Sequence, residues 1–251
     1  MIAILGDVHS DIVGVQEFIK LNPNIDKIMS VGDLALWKTS FDAQQDIKAY
    51  KHTKTQIESY IANPIPLDRV MYSLKGNHDD YKYMYSSWFL DKNIKYLQQG
   101  EILNIDNTQI ASLGGIFSYV RTKKHSSELY GREQRFFTKE EINGLINIYK
   151  ERSPDILLTH QAASEFLPKG IFHKDEGNPL LEKMVSSINP KLYIHGHHHR
   201  NYTAEHDGIA VIGLGNFSVN KESYILYDTK NKEVVKIGFL NGHILKDNTK
   251  V

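Results

Sequence analysis

An α/β layered domain is what this sequence predicts, and three observations predict it. Short apolar runs break off abruptly in polar clusters, stretches with helical spacing lie between them, and hairpin signals gather in the second half. Apolar runs of this length bounded by Gly and Asp suit buried strands, and strands alternating with helices suit a layered domain. No internal repeat or Pro/Gly/Ser-rich linker divides the 251 residues, so a single domain over 1–251 is expected.

The first strand is "IAIL", which runs into "GDVHS". A helix is expected over Asp11 to Leu21, with Ser10 as the candidate cap and a stop at Asn22-Pro23. "KIMSV" is the next strand and meets "GDL"; a long helical stretch covers Phe41 to Ile61; "VMYSL" then meets "KGNHDD". A hairpin around Asp106-Asn107 joins "EILNI" to "TQIASL". Thr138 with Glu141 three residues on forms a capping box opening "TKEEINGLINIYKER". "DILL" runs into "TH", Asn178-Pro179 supplies a cap and first-turn proline for "LLEKMVSSI", and "KLYI" runs into "HGHHHR". A second hairpin turns at Asp207-Gly208, and strands at 223–228 and 233–238 follow.

Composition narrows the function. Lys+Arg and Asp+Glu are both 30, so no global charge draws the chain to nucleic acid or an anionic membrane; a nucleic-acid partner is possible without being indicated. The absence of cysteine removes disulfides, thiolate metal sites and cysteine nucleophiles. The opening "MIAIL" carries no basic region and reads as a buried strand, not a signal peptide. No apolar run is long enough to span a bilayer, and a soluble, cytoplasmic protein without a membrane partner is expected. Protein partners are not legible.

Ligand sites in α/β sheets form outside the carboxyl ends of the strands. If the runs above share one rim, their tips bring Asp7, His9, Asp33, Asn77, His78, His160, His197 and His199 to a single crevice. Asp7 and His9, two residues apart, point the same way if the backbone is extended, and can chelate one ion. His197 and His199 repeat that spacing after Gly196, where the backbone can bend.

The ordered blocks "GDVHS", "GDL", "GNHD", "TH" and "GHHH" over residues 6–199 resemble the motif set of the calcineurin-like metallophosphoesterases. The resemblance implies a four-layer α/β/β/α sandwich of two mixed sheets flanked by helices. It implies two divalent transition-metal ions (Mn favoured, with Fe, Zn, Ni and Co open): one on Asp7, His9 and His199, the other on Asn77, His160 and His197, bridged by Asp33. Oxygen and imidazole donors without thiolates suit those metals. A metal-bound hydroxide would attack a small phosphorylated substrate, a monoester or a diester, with roughly one positive charge left at the site. His78 would protonate the leaving oxygen, and Asp79 would hold its ring.

His195 lies either behind the metals or near the phosphate, and His198 is expected to point outward. Residues 114–137 carry Arg121, Lys123, Lys124, Arg132 and Arg135. This stretch is either a solvated loop or an anion-steering flap, with Arg121 as candidate substrate ligand. The stretch from "ASLGGIFS" to "LLTHQ" is locally similar to RNA lariat debranching enzymes, although the first block retains Asp7. His52, His125, His173, His206 and His243 carry no motif and read as surface or loop residues. Trp37, Trp88 and the tyrosines read as packing, with Tyr81 and Tyr83 near enough to the crevice to reach it. The second block reads "GDLALW" and lacks the further Asp and Arg of "GDxxDRG", which argues against a protein phosphatase. A nuclease or cyclic-nucleotide phosphodiesterase is the enzymatic alternative. A non-catalytic partner-binding scaffold, as in the retromer subunit that resembles this family, is the other.

Overall fold

The computed structural model describes residues 1–169 and 177–240; His173 and His243 lie outside them. Twelve strands form two six-stranded sheets among the described residues. The first sheet contains β1 (Ile2–Leu5), β2 (Lys27–Ser30), β3 (Met71–Ser73), β4 (Ile94–Tyr96), β11 (Tyr224–Asp228) and β12 (Glu233–Ile237), in the order β12-β11-β1-β2-β3-β4. The second contains β5 (Ile102–Ile105), β6 (Thr108–Leu113), β7 (Ile156–Thr159), β8 (Leu192–His195), β9 (Tyr202–His206) and β10 (Ile209–Gly213), in the order β5-β6-β7-β8-β10-β9. Strands β1 to β4 run parallel, as do β6, β7, β8 and β10, with antiparallel strands at the margins.

The apolar runs are unbroken because both faces of each sheet are covered. Ile2 and Ile4 of β1 point into an aliphatic slab shared with Ile156 and Leu158 of β7 and Leu192 and Ile194 of β8. The alternate residues face outward. Ala3 and Leu5 pack with Ile12, Val15, Phe18 and Ile19 of α1 (Ile12–Leu21). Leu157 and Tyr193 pack with α5 (Lys139–Ile148) and α6 (Pro179–Ile188). Helix, sheet, sheet and helix therefore stack as the four layers expected.

Helix ends mostly follow the sequence signals. Thr138 and Glu141 exchange the reciprocal capping-box bonds, and Asn178 caps α6 ahead of Pro179. α1 is capped by Asp11, whose carboxylate accepts from the Gly14 N–H, and not by Ser10. The stretch from Phe41 to Ile61 is two helices, α2 (Ser40–Gln44) and α3 (Ile47–Ala62), and α3 is itself broken at Thr53, with φ −127° and ψ 25°. Two further short helices, α4 (Ser87–Leu90) and α7 (Phe217–Asn220), and the strand β4 were not anticipated. Residues 121–135 contain three 3₁₀ turns. None of the described helices is long and apolar enough to cross a membrane.

Candidate metal centre

Parallel strands deliver their carboxyl ends to one rim, and the rim residues come from both sheets. Asp7 and His9 follow β1, Asp33 follows β2 and Asn77 follows β3; His160 follows β7, and His197 and His199 follow β8. They gather into two groups of donor atoms, each lying within 4.8 Å of one another: Asp7, His9, Asp33 and His199 in one, Asp33, His160 and His197 in the other. Asp33 belongs to both. Asn77 joins the second group, its Oδ1 standing 3.2 Å from His160 Nε2.

The local route differs from simple strand alternation. His9 takes a left-handed φ of 45°, and its N–H is held by the Asp33 carbonyl at 3.0 Å. His197 and His199 themselves adopt φ of 67° and 53°. Gly196 contributes space: a Cβ there would collide with the Asp7 carboxylate. Gly76 does the same for Asp33, whose Oδ1 accepts from the His78 N–H at 2.8 Å.

The donor chemistry fits a cation. His160 Nδ1 faces the Val31 carbonyl oxygen at 2.9 Å, and a carbonyl only accepts, so Nδ1 carries the ring proton. Its other nitrogen, Nε2, lies 3.2 Å from Asn77 Oδ1 and 3.5 Å from Asp33 Oδ2. One ring nitrogen and two oxygens converge, the kinds of atom that ligate a metal. In the first group His199 Nε2 lies 3.0 Å from both Asp7 Oδ2 and His9 Nε2.

Electrostatics favours the ligand form of Asp7, Asp33, His9 and His197, whereas the Asp7 contact raises His199. Burial raises the Asp7 carboxyl, but the His199 contact and the neighbouring imidazoles outweigh it and hold the acid below its usual value. Asp33 is likewise raised by burial and brought below its ordinary value, chiefly by His160. Burial pushes His9 down and His197 well down, favouring the neutral rings that bind metals.

His78 stands at the edge of this centre, its ring centroid 6.1 Å from that of His9. The carboxylate on its Nδ1 is Asp46, at 2.8 Å, in place of the Asp79 anticipated from sequence. Asp79 instead ties two rim loops together. It accepts from the Gly76 N–H at 2.6 Å, the Ala35 N–H at 3.0 Å and the Tyr96 hydroxyl at 3.1 Å. Burial and the Asp33 charge push it up to about 7. Burial lowers His78, but the Asp46 contact and the charges of Asp33, Asp46 and Asp79 raise it overall.

The other candidates separate. Of its two expected positions, His195 takes the one behind the rim, buried against Tyr202, and burial pushes it down to about 3. His198 is half-buried between the His195 and His197 rings instead of pointing outward. Arg121 pairs with Glu133 at 2.7 Å, which Lys124 also contacts at 3.1 Å. Tyr81 is buried and donates to the Gly76 carbonyl at 2.6 Å, bracing the loop. His52, read as an ordinary surface residue, lines a crevice of about 380 Å³ together with Lys48, Thr53, His9, His78, His199 and Asn216. Spacing gave no signal for Lys48, His52 or Asp46, because no strand tip carries them.

Residues 1–201 match the family model described as calcineurin-like phosphoesterase. A lariat debranching enzyme of Entamoeba histolytica is 27% identical over 178 residues, 62% of this chain and 50% of that protein. One from Schizosaccharomyces pombe is 24% identical over 152 residues, 51% of this chain and 33% of its own length. The chain thus spans half or less of the curated relatives it matches. Among solved structures, TT1561 of Thermus thermophilus aligns with a TM-score of 0.59 at 13% identity, over 93% of this chain and 96% of the other. A putative 5'-nucleotidase from Staphylococcus aureus aligns at 0.51 and 14% identity, over 91% and 51%. These structural likenesses carry the fold. With the family model matched over four-fifths of its length, the chain belongs to the calcineurin-like phosphoesterases.

Proposed function

We propose that this chain is a phosphoester hydrolase working with two divalent cations that share Asp33. The observation that supports this most is the pair of donor groups with that one carboxylate in common. Such ions, when bound, polarise phosphoryl oxygens and acidify the attacking water. Asp7 and Asp33 bring anionic oxygens, and His9, His160, His197 and His199 bring ring nitrogens. Asn77 adds a neutral oxygen to the second group. His78 faces the crevice and gives its proton to the departing oxygen, a transfer typically worth about 10²–10⁴-fold. Manganese is the metal to try first, followed by Fe, Zn, Ni and Co, since this donor set does not discriminate sharply among them.

The mouth of about 380 Å³ suits a small phosphorylated molecule. One observation favours a second reading, a nuclease acting on a lariat nucleic acid: both curated relatives are lariat debranching enzymes. Hydrolysis of p-nitrophenyl phosphate, its bis ester and a lariat oligonucleotide, each with added Mn²⁺ and with chelator, tests both. Metal-dependent turnover of either small ester is the expected result. Turnover of the lariat alone, with affinity falling linearly in log salt, selects the nuclease. No turnover with any of the five metals removes the hydrolase reading and leaves a partner-binding scaffold.

A further inference from the structure

A chain of polar contacts leads from the rim of the metal centre into the segment between β6 and α5. His78 Nδ1 stands 2.8 Å from Asp46 Oδ2, and the same oxygen stands 3.1 Å from Arg132 Nη2. Arg132 Nη1 also donates to the Gln45 carbonyl oxygen. Asp46 is only 4% exposed and sits at the junction of α2 and α3, where its own carbonyl accepts from the Tyr50 N–H at 2.9 Å. We propose that Asp46, clamped by Arg132, is the positioning residue for His78, fixing which ring nitrogen meets the leaving oxygen. The inference rests on His78 being the proton donor of the proposed hydrolysis.

The geometry carries the assignment in three steps. An ionised carboxylate only accepts, so the His78 Nδ1 that faces it is the donor, and Nε2 is the nitrogen left for the crevice. His78 is then held at two points, its N–H by Asp33 Oδ1 at 2.8 Å and its ring by Asp46. A guanidinium is a rigid fork, and here its two nitrogens take adjacent acceptors, a main-chain oxygen and a carboxylate oxygen. That fixes both the backbone and the side chain at the α2–α3 junction, which the single point charge of a lysine cannot do.

The clamp also gives the basic segment a use other than steering. Arg121 and Lys124 are engaged with Glu133, while Arg132 reaches out of the segment to the α2–α3 junction that follows β2. Two parts of the chain 86 positions apart thereby set one imidazole.

The test compares esters of glycerol, a poor leaving group, with esters of p-nitrophenol, which departs without a proton. Asp46→Asn and Arg132→Ala are expected to lower kcat about 10–100-fold on the glycerol ester and less than about threefold on the p-nitrophenyl ester. KM and bound metal stay as in the wild type, and Arg132→Lys restores only part of the loss. Lys123→Ala, an exposed cation on the same segment, leaves both rates unchanged. Equal losses on the two esters, loss of metal, or no loss at all overturns the assignment. A wild type that cleaves neither ester brings down the small-ester reading, and the ¹⁵N resonances of the His78 ring then decide the positioning claim separately. Nδ1 protonated in the wild type and mixed tautomers in Asp46→Asn support it; unchanged ring signals overturn it.

Discussion

His9, Asp33, His197 and His199 hold left-handed φ angles of 45°, 49°, 67° and 53°. For residues with a Cβ that region costs about 1–2 kcal/mol each. Such strain persists only where surrounding bonds enforce it. Here they do: the His9 N–H is fixed by the Asp33 carbonyl at 3.0 Å and the His197 N–H by the Asp7 carboxylate at 3.1 Å. Main-chain hydrogen bonds of the fold thus help to place the donor atoms. Asp33 is the most exposing position to test, since it is common to both groups. Asp33→Asn is expected to reduce bound metal from two equivalents to below one, measured by elemental analysis of the purified protein. Retention of two equivalents would remove Asp33 as the shared ligand.

At the scale of elements, the α2–α3 stretch lines one side of the crevice mouth. Its helix α3 breaks at Thr53, and the turns before the break carry Lys48 and His52 to the mouth beside His9, His78 and His199. A cation there meets whatever anionic group lies beyond the scissile phosphate. Lys48→Ala is expected to raise KM about twofold to fivefold for a substrate with a second anionic group, the range of an exposed ion pair. The same change leaves KM for p-nitrophenyl phosphate as it was, and 1 M salt abolishes the difference. A KM increase equal for both substrates would show that Lys48 does not read the second charge. The sequence exposed the strand tips because an apolar run ending in Asp, Asn or His is a local signal. It did not expose Asp46, Lys48 or His52, which lie within one helical stretch and reach the site only because that stretch breaks twice. Arg121 and Arg132 are equally basic in sequence; only packing tells which is engaged by Glu133 and which by Asp46.

Across the whole molecule, the end opposite the metal centre is also polar. Asp155 receives the Gln109 N–H at 2.9 Å, Lys191 Nζ at 3.1 Å and Lys232 Nζ at 2.9 Å. Lys191 precedes β8 in one sheet and Lys232 precedes β12 in the other, so the carboxylate bridges both. Burial raises Asp155, but these three donors outweigh it and bring the acid below its ordinary value. A depressed acid stabilises the fold above its unfolded pKa of about 3.9, and the contribution is lost as pH falls through the folded value. Asp155→Asn should thus cost about 1–2 kcal/mol at pH 7, reduced because both lysines are partly exposed. Urea midpoints should show the gap closing below about pH 4. A gap that stays constant down to about pH 2.5, well below that unfolded pKa, would mean that the carboxylate's charge plays no part.

The aliphatic slab between the sheets pulls the two halves together, but apolar attraction has no direction. Directional bonds at the two polar rims must therefore set how one half is indexed against the other, as dowels do for stacked plates. One of those rims is the metal centre, where His160 reaches Val31 and Asp33 across the layers and His199 reaches Asp7. Alignment and chemistry thus draw on the same side chains, so losing a ligand here also loosens the stacking that brings the remaining ligands together.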